Sequence, residues 1–150
     1  MSTLADPKVR EAVLARLRGL RPDSPRQWGK MNPHQMVCHL TDAFRMVYGE
    51  RPASAVDTLL SRTVIRWVAL HTPLEWPKGV QTRPEADQVA GGGTPPAEWA
   101  RDTGELARRI ENFHTVQKFA PHPIFGPLTP TEWGVWGYRH VDHHFRQFGA

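Results

Sequence analysis

Residues 129–148 read TPTEWGVWGYRHVDHHFRQF, and this stretch decides the fold. Thr129 and Glu132 have the spacing of a capping box, in which each side chain serves the other's backbone N–H. Pro130 fits the first helical position, where no N–H is needed. Beyond the cap, Trp133, Trp136, Gly137, His140, His144 and Phe148 fall on one face of a helix expected to run to about Phe148. A face that mixes large aromatics with histidines four apart is a core face carrying polar chemistry.

Working backwards, Pro121-His122-Pro123 stops a preceding helix expected from about Pro96 to Phe119, with Trp99, Leu106, Ile110 and Phe113 on its stripe. Residues 124–128 form a short loop. Asn32-Pro33-His34-Gln35 repeats the start signal of cap, proline and amide, and opens a helix to about Val47. Its stripe is Met36, Leu40, Ala43, Phe44 and Val47, and His39 lies on it. Asp6-Pro7 opens a first helix through Val9, Val13, Leu17 and Leu20, closed by Gly19 and Pro22. A further helix is expected from about Val56 to His71, with Leu59, Leu60, Val64 and Trp67 on its apolar side. Residues 72–96 are rich in proline and glycine and include Gly91-Gly92-Gly93. A loop this long is uncommon in a compact domain, and is either a functional cover or an unstructured segment. No stretch alternates strongly enough for a strand. The expectation is one all-α domain over residues 1–150: a four-helix bundle with an extra helix and a long loop between core helices two and three.

The 150 residues suffice for one core, and 39% hydrophobic with 23% charged residues is ordinary for a soluble chain. No apolar run is long enough to span a membrane. Residues 1–6 show no secretory pattern, and one cysteine permits no internal disulfide, so the cytoplasm is the expected compartment. The charge of +4 and the pI of about 9.7 raise nucleic acid as a partner. The arginines are dispersed and often sit beside acids, as in Arg10-Glu11 and Glu50-Arg51, so the required basic patch is missing and no nucleic-acid partner is expected.

Eight histidines is the unusual count. His140 and His144 are four apart and share a helix face. With this many histidines, such a pair arises by chance about 0.4 times, so the spacing alone is weak. The pair lies on an apolar face, however, and His39 lies on the apolar stripe of another helix. Side chains facing inward from two helices are how bundle-core metal sites are built. Three buried neutral imidazoles without an ion would each need a polar partner. His39, His140 and His144 are therefore the expected ligands of one divalent metal ion, with a fourth position open as in catalytic sites. Asp42, three residues after His39, is the candidate base or orienting group for a ligand imidazole; the alternative is a salt-bridged aspartate. Arg146 and Gln147 are candidates for holding an anionic substrate group, or simply helix-end residues. His122, between two prolines, is a candidate for the pocket mouth. Cys38, about 100° around the helix from His39, reads as a small buried hydrophobe, the alternative being a nucleophile or ligand. His34 is expected at the surface in the first turn, and His71 and His114 as structural or exposed. Gly134 and Gly137 imply close helix contact or room beside the metal. The loop carries Trp76, Lys78 and Arg83 towards the pocket, or is unstructured at its glycine run.

Trp28-Gly29-Lys30-Met31-Asn32-Pro33 followed by Gln35-Met36-Val37-Cys38-His39-Leu40-Thr41-Asp42 resembles the second helix of the DinB/YfiT-like family. His140-Val141-Asp142-His143-His144-Phe145-Arg146-Gln147 is similar to that family's last helix: two histidines four apart, then a glutamine three residues on. His-Pro-Ile-Phe-Gly-Pro-Leu-Thr at 122–129, with Glu132-Trp133-Gly134, resembles a subgroup known only as a domain of unknown function. The resemblance extends from about Trp28 to the C-terminus. It implies up-down-down-up connectivity and a three-histidine site for zinc or nickel, mapping onto His39, His140 and His144 and leaving His143 as a neighbour. It also implies, for some relatives, thiol transfer or isomerisation with low-molecular-weight thiols. The extra helix within Tyr48–Pro96 departs from the minimal family pattern, so substrate contacts do not carry over.

The expected function is a divalent-metal-dependent enzyme acting on a small-molecule substrate, by thiol transfer or hydrolysis. The alternatives are a non-catalytic metal- or small-ligand-binding stress protein, and a bundle acting through protein association with structural histidines. A homodimer is left open.

Overall fold

The computed structural model describes residues 1–150. The chain is all-helical: α1 Pro7–Gly19, α2 Pro33–Val47, α3 Arg66–His71, α4 Trp99–Glu111 and α5 Pro130–Arg146. There is no strand, only one isolated bridge between His122 and Gly126. No helix is long and apolar enough to cross a membrane. The start signals act as their chemistry dictates. Asp6 accepts from the Lys8 N–H at 2.8 Å. Asn32 and Gln35 form a reciprocal capping box, and so do Thr129 and Glu132.

α2 and α1 each pack against both α4 and α5, while α3 lies outside on α5. The core joins Val13, Leu14 and Leu17 of α1 to Met36, Leu40 and Phe44 of α2, Leu106 and Ile110 of α4, and Trp133, Val141 and Phe145 of α5. α2 is buried almost all round, including His39, Thr41 and Asp42 on its polar positions. Such a helix must provide partners for its own polar groups, and the site grows out of that demand.

The region of the extra helix departs from expectation. Helix begins only at Leu59, passes through a π-helical turn at Ser61–Ile65, and continues as α3. The side expected to be buried is exposed: Leu59 is 81%, Leu60 58%, Val64 57% and Trp67 60% exposed. What docks instead is a polar edge. Arg66 makes a two-pronged contact with Glu132 at 2.7 and 2.5 Å, Ser61 Oγ donates to the Ile124 carbonyl at 2.6 Å, and only Leu70 is deeply buried. Apolar periodicity misassigned the face because these charge-assisted bonds, not area burial, orient the helix. α4 also ends earlier than its pattern, at Glu111. It passes into a 3₁₀ turn, Asn112–Thr115, where His114 and Thr115 side chains donate to the Glu111 and Asn112 carbonyls.

Residues 72–98 form a strap rather than an unstructured loop. A 3₁₀ turn at Pro84–Ala86 buries Ala86. The glycine run packs tightly behind it, since a Cβ on Gly92 would meet the Pro84 carbonyl oxygen at 2.0 Å.

Gly134 and Gly137 are explained by contact with the N-terminal segment, not by room at the histidines. A Cβ on Gly134 would meet Thr3 Oγ1 at 2.2 Å and one on Gly137 would meet Leu4 Cδ1 at 2.8 Å. Leu4 is fully buried there, and its N–H donates to the Gly134 carbonyl at 3.0 Å. Gly134→Val should therefore displace residues 3–5 and lower stability by about 1–3 kcal/mol in urea unfolding; an unchanged midpoint would contradict this packing.

Candidate metal centre

α2 delivers His39, and α5 delivers His140 and His144 from successive turns. His39 Nε2 lies 3.3 Å from His140 Nε2, and His144 Nε2 lies 3.2 Å from the same atom. All three ligand atoms lie within 4.8 Å of one another. One ion with metal–nitrogen distances near 2.0–2.1 Å in tetrahedral geometry needs nitrogen separations of about 3.3 Å. The two separations through His140 meet that requirement and the third stays within 4.8 Å, so the residues present fit one ion.

Protonation makes the case stronger than distance alone. His39 Nδ1 lies 2.8 Å from the Ala86 carbonyl, which can only accept, so Nδ1 carries the proton and Nε2 is a bare lone pair. His144 Nδ1 lies 2.6 Å from Gln147 Oε1, with the same consequence. Two lone pairs therefore face His140 Nε2, and a single N–H there cannot serve both well. Burial lowers the pKa of His39. It lowers His140 and His144 well below the ordinary imidazole value, with neighbouring histidines adding to the effect. Neutral, inward-facing imidazoles are the form that binds a cation.

Both outer partners escaped sequence reasoning in their roles. Ala86 acts through a backbone carbonyl, which leaves no mark on residue type. Gln147 was visible as the glutamine three after His144, but as a candidate for holding an anionic substrate group. It is buried and accepts from the ligand ring instead. Arg146 pairs with Glu75 at the surface at 2.7 Å.

Asp42 makes no hydrogen bond to any of the three rings. It is fully buried, and its oxygens accept from Thr94 N and Thr94 Oγ1, each at 2.7 Å, and from Gln88 Nε2 at 2.8 Å. Arg45 Nη1 lies 3.1 Å away and Arg51 Nη1 3.6 Å away. Arg51 also donates to the Glu85 and Gly92 carbonyls. The salt-bridged alternative describes this aspartate, with an addition: it ties down the strap that carries Ala86.

Trp76 from the strap lies tilted beside His140, with ring centroids 6.1 Å apart, and Trp136 lies 4.7 Å from the same ring. His140 stays partly exposed, whereas His39 and His144 are buried. A surface cavity of about 280 Å³ lies beside Trp76, Arg139 and His143, but none of the three clustered histidines lines it. Lys78 stacks over Trp28 with Nζ 4.3 Å from the ring centroid, and Arg83 donates to Ser54 Oγ, so neither points at the cluster. His143 packs its ring edge-on to Trp28 and stays a neighbour. His71 is half-exposed beside Glu132, and His114 is exposed. Cys38 is buried as expected, and burial together with Asp102 pushes its thiol up to about 12. His34, expected at the surface, is instead mostly covered and hydrogen-bonded to Asp102 at 2.8 Å.

His122 does not open onto a pocket mouth. It is buried, stacked on Phe125 with centroids 4.5 Å apart, and its Nδ1 accepts from the Ile124 and Phe125 N–H groups, each at 3.1 Å. Burial lowers its pKa from 6.5 to about 3. Between those values the unfolded chain binds the proton and the folded chain does not, so stability rises with pH through this window and is lost on acidification. His122→Asn retains an acceptor near the Nδ1 position without the titration. Its stability should fall less between pH 7 and about pH 5 than that of the wild type, by roughly 1–2 kcal/mol. Equal pH dependence in urea unfolding would exclude the neutral role.

The chain belongs to the family described as protein of unknown function (DUF1569), which it matches over residues 6–150. No curated protein and no solved structure matches it.

Proposed function

We propose that His39, His140 and His144 hold one divalent ion, zinc or nickel, and that this DUF1569 chain is a metal-dependent enzyme of the DinB/YfiT-like kind. The reading rests on one observation: the Nε2 atoms of His39 and His144 lie 3.3 and 3.2 Å from His140 Nε2, while the Nδ1 atoms of those two outer rings are committed to outward acceptors. The up-down-down-up connectivity of that family is compatible with α1 and α2 each packing on both α4 and α5. A cytoplasmic setting agrees with a thiol left free at Cys38.

An ion with three protein ligands supplies Lewis acidity to water or to a thiol at neutral pH. The chain's own groups do the rest. Ala86 and Gln147 orient two rings and fix their tautomers, raising their basicity towards a cation. Trp76 and Trp136 wall the site and keep its dielectric low. The partly exposed His140 marks the side from which a small molecule, such as a low-molecular-weight thiol, approaches. Asp42 is a positioning residue in this scheme: it fixes the strap and, through it, the Ala86 carbonyl. The cluster of ligand-type groups at the three rings includes no carboxylate. That favours thiol transfer, in which the transferred thiolate is itself the nucleophile, over hydrolysis assisted by a protein base.

The cavity that bypasses the histidines supports a second reading, a non-catalytic protein that sequesters an ion or a small ligand. The two readings separate in a screen of small thiols with metal-loaded and metal-stripped protein. Turnover that depends on the ion supports the enzyme, and full activity without it contradicts the enzyme.

Protein purified without a histidine tag should contain zinc or nickel by elemental analysis, and His140→Ala should lower the content by about one equivalent. Gln147→Leu should weaken metal affinity by about 10–100-fold while leaving the helix content unchanged. Asp42→Asn should weaken it less, through the strap. Wild-type protein without metal, or His140→Ala with undiminished metal, would overturn the site.

A further inference from the structure

A second cluster of ligand-type side chains lies on another face of α2. His34 and Cys38 are four residues apart on that helix, and Asp102 faces them from the first turns of α4. His34 Nε2 lies 2.8 Å from Asp102 Oδ2. Cys38 Sγ lies 3.8 Å from the same oxygen. One ligand atom from each residue falls within 4.8 Å of the other two. Around one zinc ion, sulfur, nitrogen and oxygen ligands would sit about 3.3–3.6 Å apart. The separations bracket that range, so small side-chain rotations close the set.

The surroundings hold two of the three in place. Trp99 packs edge-on against His34 with centroids 5.4 Å apart, and the Ala97 N–H donates to Asp102 Oδ2 at 2.9 Å. Cys38 is 3% exposed, while the His34 and Asp102 side chains are 20% and 13% exposed, so the cluster has a narrow path to water. The thiol and the carboxylate lie together, with Arg101 3.6 Å from Asp102 and the charges of Asp42 and Arg45 within electrostatic reach of the thiol. A thiolate, a carboxylate and a neutral imidazole would together neutralise a divalent ion. A single soft sulfur ligand selects zinc, cadmium or cobalt over magnesium or calcium.

The geometry points to a second, independent divalent-metal site formed by His34, Cys38 and Asp102, preferring thiophilic ions and completed by water. Binding releases the Cys38 thiol proton to solvent and moves the His34 proton from Nε2 to Nδ1, leaving Nε2 free to ligate. The ion takes the place of the hydrogen bonds from His34 and Cys38 to Asp102 Oδ2, and the one from the Ala97 N–H stays. This site does not rest on the three-histidine reading, since it shares no residue with it.

The chain has one cysteine, so any thiolate–metal signal reports this site alone. Full-length His140→Ala protein, reduced and tag-free, is titrated with cadmium. The expected result is a thiolate-to-cadmium charge-transfer band in the ultraviolet that saturates at one equivalent per chain, from a species whose sedimentation is unchanged by cadmium. Cys38→Ser should abolish the band. His34→Gln and Asp102→Asn should each weaken cadmium affinity by at least about tenfold. Bound cadmium should also slow alkylation of Cys38 in the otherwise unmodified protein, a measurement that needs no variant to fold. No band, saturation at half an equivalent through a thiolate bridge between two chains, or affinity untouched by His34→Gln and Asp102→Asn in variants with wild-type circular dichroism would overturn the site. Loss of metal at the three histidines leaves all of these outcomes readable.

Discussion

The hydrogen bond from His39 Nδ1 to the Ala86 carbonyl ties α2 to the strap at the three-histidine cluster. On one side is the most buried helix of the bundle, and on the other a strap of irregular backbone. The bond decides where the proton of His39 sits, and hence that Nε2 presents a lone pair to α5. It also requires the strap to hold its course to within a few tenths of an ångström. The strap has little apolar surface to bury, so its course is set by Asp42, which receives Gln88 and Thr94, and by Arg51, which grips the Glu85 and Gly92 carbonyls. A buried carboxylate shared between two guanidinium groups and a backbone N–H is weak evidence for stability, because desolvation offsets the attraction. It is better understood as a device for holding one conformation.

α2 makes this necessary. A helix surrounded by α4, α5 and the strap has no solvent-facing side on which to leave polar residues, yet its sequence carries His39, Thr41 and Asp42 as well as Cys38. Thr41 turns back to the Val37 carbonyl at 2.9 Å. Asp42 turns to the strap, Cys38 to Asp102, and His39 to α5. Each polar side chain therefore meets a different neighbour, and the two ligand-like clusters lie on two faces of one rigid helix. Sites on helices are held more precisely than sites on loops. Here the three clustered imidazoles are helical, while one of the groups that orients them is loop backbone.

What could be seen in the sequence follows from which interactions leave a residue-level trace. The caps Asp6, Asn32 and Thr129 did, and the starts of α1, α2 and α5 fall where those residues place them. The inward stripe of α5 did, and with it the meeting of His140 and His144 with His39. The run Leu59-Leu60 with Val64 and Trp67 misled, because it predicts a buried apolar face for a helix that docks through Arg66 and Ser61 instead. Long-range charge pairing has no periodicity to detect. The Ala86 carbonyl was invisible in principle, since every residue carries one. Asp42 was singled out because it follows His39 by three, but its partners lie 46 to 52 residues away in a segment without regular structure, so position relative to His39 suggested the wrong contact.

The poorly buried α3 region then has a physical role despite its exposed apolar side. Its C-terminal end presents the Ala69 carbonyl to two donors, Trp76 Nε1 at 3.0 Å and Arg139 Nη1 at 2.7 Å. Arg139, on α5 immediately before His140, also donates to the Thr72 carbonyl and lies 5.6 Å from the centre of the Trp76 ring. These contacts hold the indole against the one histidine of the three that remains partly exposed. Arg66 and Glu132 fix α3 at its other end, and burial of Glu132 is outweighed by Arg66 and the Thr129 N–H, which bring its carboxyl down to about 2. The helix is thus positioned at both ends by charge-assisted bonds to α5, the element that supplies two of the three clustered imidazoles. An aromatic wall fixed to the same helix as His140 and His144 moves with them, so the distance between indole and imidazole is set by local bonds and not by the packing of distant parts of the bundle.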